Sequence, residues 1–332
     1  TLFRSIMLWF KRNAEQVPII KDLYVLGTLI QLKVFGENAK VAISESIKRL
    51  LEIDDKMSVF KEDSEVALIN RNAGGEYQEI SEDTYYVVET SLKYSNMSKG
   101  AFDPTIRPLV DVWRIGRENQ RVPSKKELEK AMELINYNDI SIDKAEKTVR
   151  LDKKNQAIDL GAVAKGFAAD EVRDILIENK IKSAIIDLGG NIFALGNKQN
   201  GMAWNIGIQN PLADCGEYIG VTSVSNKSVV TSGNYERFFT VNGKKYHHIL
   251  DSRTGYPSEN GVISATIISD NSIDGDALAT CAYVMGLEIG YKLIESLEGV
   301  DAIFITEDKR VFTTSGIKNN FKLVNKDFIY VN

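Results

Sequence analysis

Cysteine and histidine are scarce in this chain. Among 332 residues there are two cysteines, Cys215 and Cys281, and two histidines, His247 and His248. The cysteines stand in neither a metal nor a redox spacing, and two are too few for a disulfide framework. Any imidazole chemistry has one address, the adjacent pair. Long apolar runs are lacking as well. The opening TLFRSIMLWF is an apolar run of about ten residues with an arginine inside it, too short to cross a bilayer. It is expected to be a remnant of a signal or anchor segment, an amphipathic surface helix, or a packed N-terminal helix. There is no excess of basic charge: the net charge is −5 and the pI about 5.4, which gives no support for a nucleic-acid partner. Neither a Walker nor a GxGxxG pattern surrounds Gly161, Gly189 or Gly190, so no dinucleotide-binding Rossmann unit is expected. No internal repeat or low-complexity tract is present.

What is present is a chain that is 43% hydrophobic, ample for a large core in one or two domains. Tyr24 to Phe35 alternates and reads as a strand, with Gly27 marking a bulge or a close approach. Helices are expected over 38–53, 81–97 and 124–135. Strands follow over 183–195, broken at Gly189-Gly190, and over 204–208, 218–223 and 228–231. Asn242-Gly243 signals a hairpin between 236–241 and 244–250. A strand at 262–268, helices at 276–285 and 287–297, and short closing strands complete the pattern. Runs of strands with helices between them indicate an α+β fold with mixed or antiparallel sheets flanked by helices.

Four stretches can carry chemistry. In Ile158 to Asp174, IDLGAVAKGFAADEVRD, a strand ends, turns at Gly161 and enters a helix. Ala164, Ala168, Val172, Ile175 and Leu176 face the core. Lys165 sits at the helix start, where a cation opposes the macrodipole. A phosphate held there removes the conflict; an ordinary helix entry with an exposed lysine is the plainer alternative. Asp159 just upstream is a hard oxygen ligand or a hydrogen-bond acceptor. Asp276 and Thr280 are four apart on a helix, and their oxygens suit Mg²⁺; the alternative is a first-turn carboxylate and a hydroxyl bonded to its own backbone. In Gly100 to Thr105, Pro104 holds Asp103 extended beside Phe102. That pair suits a planar heterocycle, or else Phe102 plugs the core and Asp103 caps the helix from Thr105. His248 and Asp251 are the one plausible imidazole–carboxylate pair, able to take a proton from a hydroxyl, or else His248 is a surface residue of a hairpin.

Eight segments in order resemble one family: LGT at Leu26, MSVFKEDSEV at Met57, GAFDPTI at Gly100, IDLGAVAKG at Ile158, DLGGNI at Asp187, TSGNYERFF at Thr231, HILDSRTGYP at His248 and DALAT at Asp276. Over roughly Leu23 to Thr314 the chain is similar to the FAD:protein FMN transferases of the ApbE family. The resemblance implies an ApbE-like, T-fold-related architecture over 23–332, with residues 1–22 as a separate N-terminal segment. It implies Mg²⁺-dependent transfer of the FMN half of FAD to a threonine of an acceptor flavoprotein, of redox-pump subunit or flavin-dependent reductase type, with release of AMP. Asp276 and Thr280 are then metal ligands, joined by Ala162 and Ala279. Ala101, Phe102, Asp103, Asp159 and Lys165 line the FAD site, and Leu26, Phe60 and Leu250 are further flavin contacts. His248 acts on the acceptor hydroxyl, with Asp251 and Lys165 beside it in the chemistry. Family members usually work on the extracytoplasmic face of bacterial membranes, often lipid-anchored; no lipobox cysteine is visible here. The chain departs from the family at Leu26, where Met is frequent, at Phe60, where Trp is frequent, and at Ser252, where a Pro is usual and whose absence is expected to loosen the loop. Two other readings use the same residues: a pyrophosphatase splitting FAD into FMN and AMP, and a non-catalytic FAD-binding protein.

Overall fold

The computed structural model describes residues 17–214 and 216–331. Expectations placed on residues 1–16 and on Cys215 lie outside them. The framework is one sheet of nine strands whose spatial order is their chain order: β1 (Ile19–Val25), β2 (Thr28–Phe35), β3 (Ser183–Leu188), β4 (Asn191–Gly196), β5 (Lys227–Gly233), β6 (Val262–Ser269), β7 (Asp301–Thr306), β8 (Arg310–Thr313) and β9 (Ile329–Val331). Every pairing is antiparallel except the last, β8 with β9. All eight residues of β6 are buried, as a strand covered on both faces requires.

Three helices lie on one face: α1 (Ala39–Met57), α2 (Ala164–Glu178) and α3 (Ser272–Glu295). The other face is covered by a three-stranded sheet containing Trp204–Gln209 and Tyr218–Val224, whose Trp204, Ile206 and Ile219 pack on Val229, Ile268 and Ile303. A smaller apolar cluster, Leu109, Trp113, Leu128, Phe239 and Leu250, anchors the Phe238–Val241/Lys244–His247 hairpin, which forms a two-stranded sheet of its own. The α+β expectation is met. The single strand read over 24–35 is two strands. β1 and β2 pair from Val25↔Thr28 onward, and Leu26 and Gly27 form the two-residue turn, at φ 54° and 69°. Both φ values are positive, as the tightest hairpin turns demand. Alternation survived the turn, so the pattern did not show it. β1 starts at Ile19, so the boundary expected at residue 22 falls inside a strand. The two helices expected at 276–285 and 287–297 are met: the helical stretch Ser272–Glu295 is broken at Gly286, whose backbone (φ 76°, ψ 175°) is not helical. The Asn260 side-chain amide donates to the freed Tyr283 carbonyl at 2.7 Å.

α2 and α3 approach closely because Gly166 has no side chain. A Cβ there would stand 2.4 Å from the Ser272 carbonyl oxygen and 2.6 Å from the Ile273 Cα. These are backbone atoms at the start of α3, so a neighbouring rotamer change cannot relieve the clash. Gly166→Ala is therefore expected to force the helices apart and cost on the order of 1–3 kcal/mol. The midpoint of urea unfolding measures it, and an unchanged midpoint contradicts this packing.

Candidate active site

The approach at Gly166 brings together two segments that are remote in sequence. Upstream of α2, Ile158 is held by Asn70, whose side chain accepts from the Ile158 N–H at 2.7 Å and donates to its carbonyl at 2.9 Å. Asp159 follows. It accepts from Gly161 N–H at 2.9 Å and pairs with Arg107 at 3.2 Å. The chain then enters α2 with no capping side chain and no acidic residue in the first turn. The carboxylate arrives from α3 instead. Asp276, buried, accepts from Gly166 N–H at 2.9 Å and from Lys165 Nζ at 3.4 Å. Lys165 Nζ also donates to the Gly161 carbonyl at 3.3 Å. A cation disfavoured by one helix dipole is thus balanced by a carboxylate on the next helix.

α3 is itself fixed by α2. Asp170 accepts from Ser272 N–H at 2.8 Å and Ile273 N–H at 2.9 Å, capping α3 from outside its own chain segment. Burial pushes Asp170 up to about 6, against these two bonds and the charge of Arg173. One turn beyond Asp276, Thr280 Oγ1 lies 3.4 Å from Ser232 Oγ on β5. Asp276 and Thr280 are thus hard oxygen donors on one helix face. Ala279 between them is fully buried, and Ala162 lies in the turn before α2. Among the described residues, no three His, Cys, Asp or Glu side chains gather to cage a metal. One carboxylate, one hydroxyl and carbonyl oxygens still fit Mg²⁺, which keeps water and phosphate oxygens in its shell.

His248 follows the second strand of the hairpin. Its main-chain N–H donates to the Arg237 carbonyl at 3.0 Å, and its Nδ1 lies 3.2 Å from the same oxygen. A carbonyl only accepts, so Nδ1 carries the proton and Nε2 is the free base. Burial lowers its pKa to about 4, the charges of Arg237, His247 and Lys165 push the same way, and the Arg237 carbonyl opposes them. The pairing of His248 with Asp251 is not formed. Asp251 gives both oxygens to Arg253, at 2.7 and 2.8 Å, which is two residues away and outcompetes a neutral imidazole. His247 is buried against Tyr283, with Nε2 3.1 Å from the Ser258 carbonyl.

The expected flavin contacts divide. Phe102 and Ala101 are buried in the main core. Asp103 spends its carboxylate on Thr105 N–H and Oγ1, at 2.8 and 2.6 Å, and on Tyr137 N–H at 3.1 Å. Burial raises its pKa against those bonds. This is the core-plug and cap alternative. Leu250 is buried in the cluster around Trp113. Phe60, by contrast, is 72% exposed, with the guanidinium carbons of Arg107 and Arg117 5.1 and 5.0 Å from its ring centre. Leu26 is half-buried in its turn. Contacts run unbroken from Phe60 through Arg107, Asp159, Gly161 and Lys165 to Asp276. Ser252 ties its loop to the Gly100 carbonyl at 2.7 Å, so the hydroxyl replaces the restraint expected to be lost without proline. Arg107, Arg117, Ser232 and Arg237 were missed by sequence reasoning. Only the Asp111 spacing from Arg107 was a local signal, and it points along the helix instead of toward Asp159.

Comparison with known proteins gives a consistent result. Residues 26–304 match the model of the ApbE family. The chain is 35% identical over 322 residues to a FAD:protein FMN transferase of Treponema pallidum, covering 92% of this chain and 89% of that protein. It is 35% identical over 291 residues to one from Klebsiella pneumoniae, covering 88% and 90%. The ApbE protein from Thermotoga maritima superimposes with a TM-score of 0.84 at 32% identity, over 91% of this chain and 99% of that one. The flavin transferase ApbE from Vibrio cholerae gives 0.82 at 27%, with the same coverage.

Burial lowers both imidazoles to about 4. The unfolded chain then binds more protons between about pH 4 and 6.5, so both histidines withdraw stability as pH falls through that window. Asp170, raised by burial, acts in the opposite sense up to about 6. In a proton NMR titration neither imidazole is expected to charge above about pH 5. A midpoint near the ordinary histidine value for either one contradicts the burial described here.

Proposed function

The chain belongs to the ApbE family, and from that membership we propose that it moves the FMN moiety of FAD onto a threonine hydroxyl of an acceptor protein, releasing AMP. The enzyme type is that of its relatives, FAD:protein FMN transferase. The observation that carries the site assignment is the meeting of Lys165, at an uncapped helix start, with the Asp276 carboxylate at 3.4 Å. Helix N–H groups and a lysine cradle a diphosphate. Asp276 and Thr280 would hold Mg²⁺, with the carbonyls of Ala162 and Ala279 beside them, and the bound ion supplies charge neutralisation at the phosphate oxygens.

The steps performed by the chain's own residues follow. Lys165 holds the diphosphate and balances charge on the departing phosphate. The acceptor threonine oxygen forms a bond to the FMN phosphorus. The bond from that phosphorus to the bridging oxygen breaks, and its electron pair leaves with AMP. The threonine proton passes to Nε2 of His248, which is neutral and unprotonated there because Nδ1 is bound to the Arg237 carbonyl. Phe60, exposed and flanked by two guanidiniums, offers an aromatic surface to the flavin or the adenine. Buried Phe102, Ala101 and Leu250 shape the walls behind the site.

The test is mass spectrometry of a threonine-bearing acceptor domain incubated with FAD and Mg²⁺. A gain equal to FMN less water is expected. Free FMN formed equally well without acceptor points to hydrolysis, and bound FAD with no AMP points to a carrier. Asp276→Ala is expected to abolish transfer, and full turnover by it rules out the assigned site. His248→Ala is expected to retain FAD while slowing transfer about 10²- to 10⁴-fold, the usual worth of a general base.

A further inference from the structure

Arg237 stands where three walls of the site meet. It precedes the hairpin strand Phe238–Val241, and its side chain is exposed. Its main-chain carbonyl accepts from both the N–H and the ring Nδ1 of His248, at 3.0 and 3.2 Å. Its guanidinium Nη2 donates to the Gly27 carbonyl at 3.4 Å, across to the turn that carries Leu26. Its aliphatic stem faces Gly116, where a Cβ, if present, would be 3.5 Å from Arg237 Cδ. Gly116 is followed by Arg117, which stands over Phe60. The hairpin has no hydrogen-bonded ladder to the nine-stranded sheet. A two-stranded hairpin is marginal by itself, so its placement depends on contacts of this kind. Phe239 and Tyr246 anchor one side, Tyr246 5.4 Å from Trp113.

We infer that the Arg237 side chain is a positioning residue for His248: by tying its strand to the Gly27 turn it fixes its own carbonyl, and that carbonyl sets the tautomer and aim of the imidazole. This rests on the reading of His248 as the base. The guanidinium does not touch the ring; it acts through the main chain it belongs to. It also places a fixed positive charge near the ring. The charges that bear on His248 are those of Arg237 on its own hairpin, His247 beside it and Lys165 from α2, and each disfavours its protonation. All three are cationic when charged, so loss of Arg237 removes one repulsion and makes His248 easier to protonate.

The chain has two histidines, which makes the test direct. In the full chain labelled with ¹⁵N-histidine, His248 is expected to show the Nδ1–H tautomer. In Arg237→Met it is expected to show mixed tautomers and a raised midpoint. The kcat for transfer to a threonine-bearing acceptor domain should fall, by up to about a hundredfold for a misplaced base. KM for FAD should stay within a factor of about two. Arg237→Lys is expected to recover most of the rate. An unchanged tautomer and kcat in Arg237→Met overturns the inference. So does a loss confined to KM for FAD, because the guanidinium then binds substrate. If the unaltered chain transfers no FMN, the functional reading fails, while the tautomer comparison still decides the role of Arg237.

Discussion

The contact between the starts of α2 and α3 is the constraint on which the rest depends. Gly166 lets the two backbones touch, and Asp276 then reaches the Gly166 N–H and Lys165 Nζ. Neither side chain is comfortable without the other. Lys165 at a helix N-terminus opposes the dipole, and a buried carboxylate without donors pays desolvation. Asp170 fixes the same junction from the other side by capping α3. Two helices far apart in sequence are thereby held with a cation, a carboxylate and a hydroxyl turned to one place. That combination of charges is what the proposed magnesium diphosphate would need.

The hairpin supplies the contrasting element. Lys165 and Asp276 are charged and fixed by helices, whereas His248 is kept neutral and fixed by a single carbonyl. Burial and surrounding positive charge both disfavour its protonation. In the proposed function, a base that stays unprotonated beside the anion-holding groups would separate binding from proton transfer. Asp251, bound to Arg253, stabilises its loop and leaves the imidazole to the Arg237 carbonyl.

Helical spacing in Ala164, Ala168, Val172, Ile175 and Leu176 exposed α2 in the sequence; four of the five are buried and Ile175 is half-buried. Asp276 and Thr280 were legible as a pair because four residues on a helix share a face. The turn at Leu26-Gly27 was not legible, since a leucine at positive φ carries no sequence mark and alternation continued through it. For Phe102 and Asp103 the local pattern left a core plug and a cap open beside a ligand contact, which the resemblance implied; the structure shows Phe102 buried and Asp103 holding three protein donors. The Arg237–Gly27 and Arg107–Asp159 contacts cross long stretches of chain, so local pattern held no trace of them. Resemblance pointed to the candidate site; the fold shows which of the named residues are exposed beside it and which are buried.

The most direct measurement is a crystal of the chain with FAD and Mn²⁺, read by anomalous scattering. The account expects the metal signal between the Asp276 carboxylate, the Thr280 hydroxyl and the FAD diphosphate, with Lys165 on the same phosphates. A diphosphate seated away from Lys165, or a metal bound without Asp276, would contradict it.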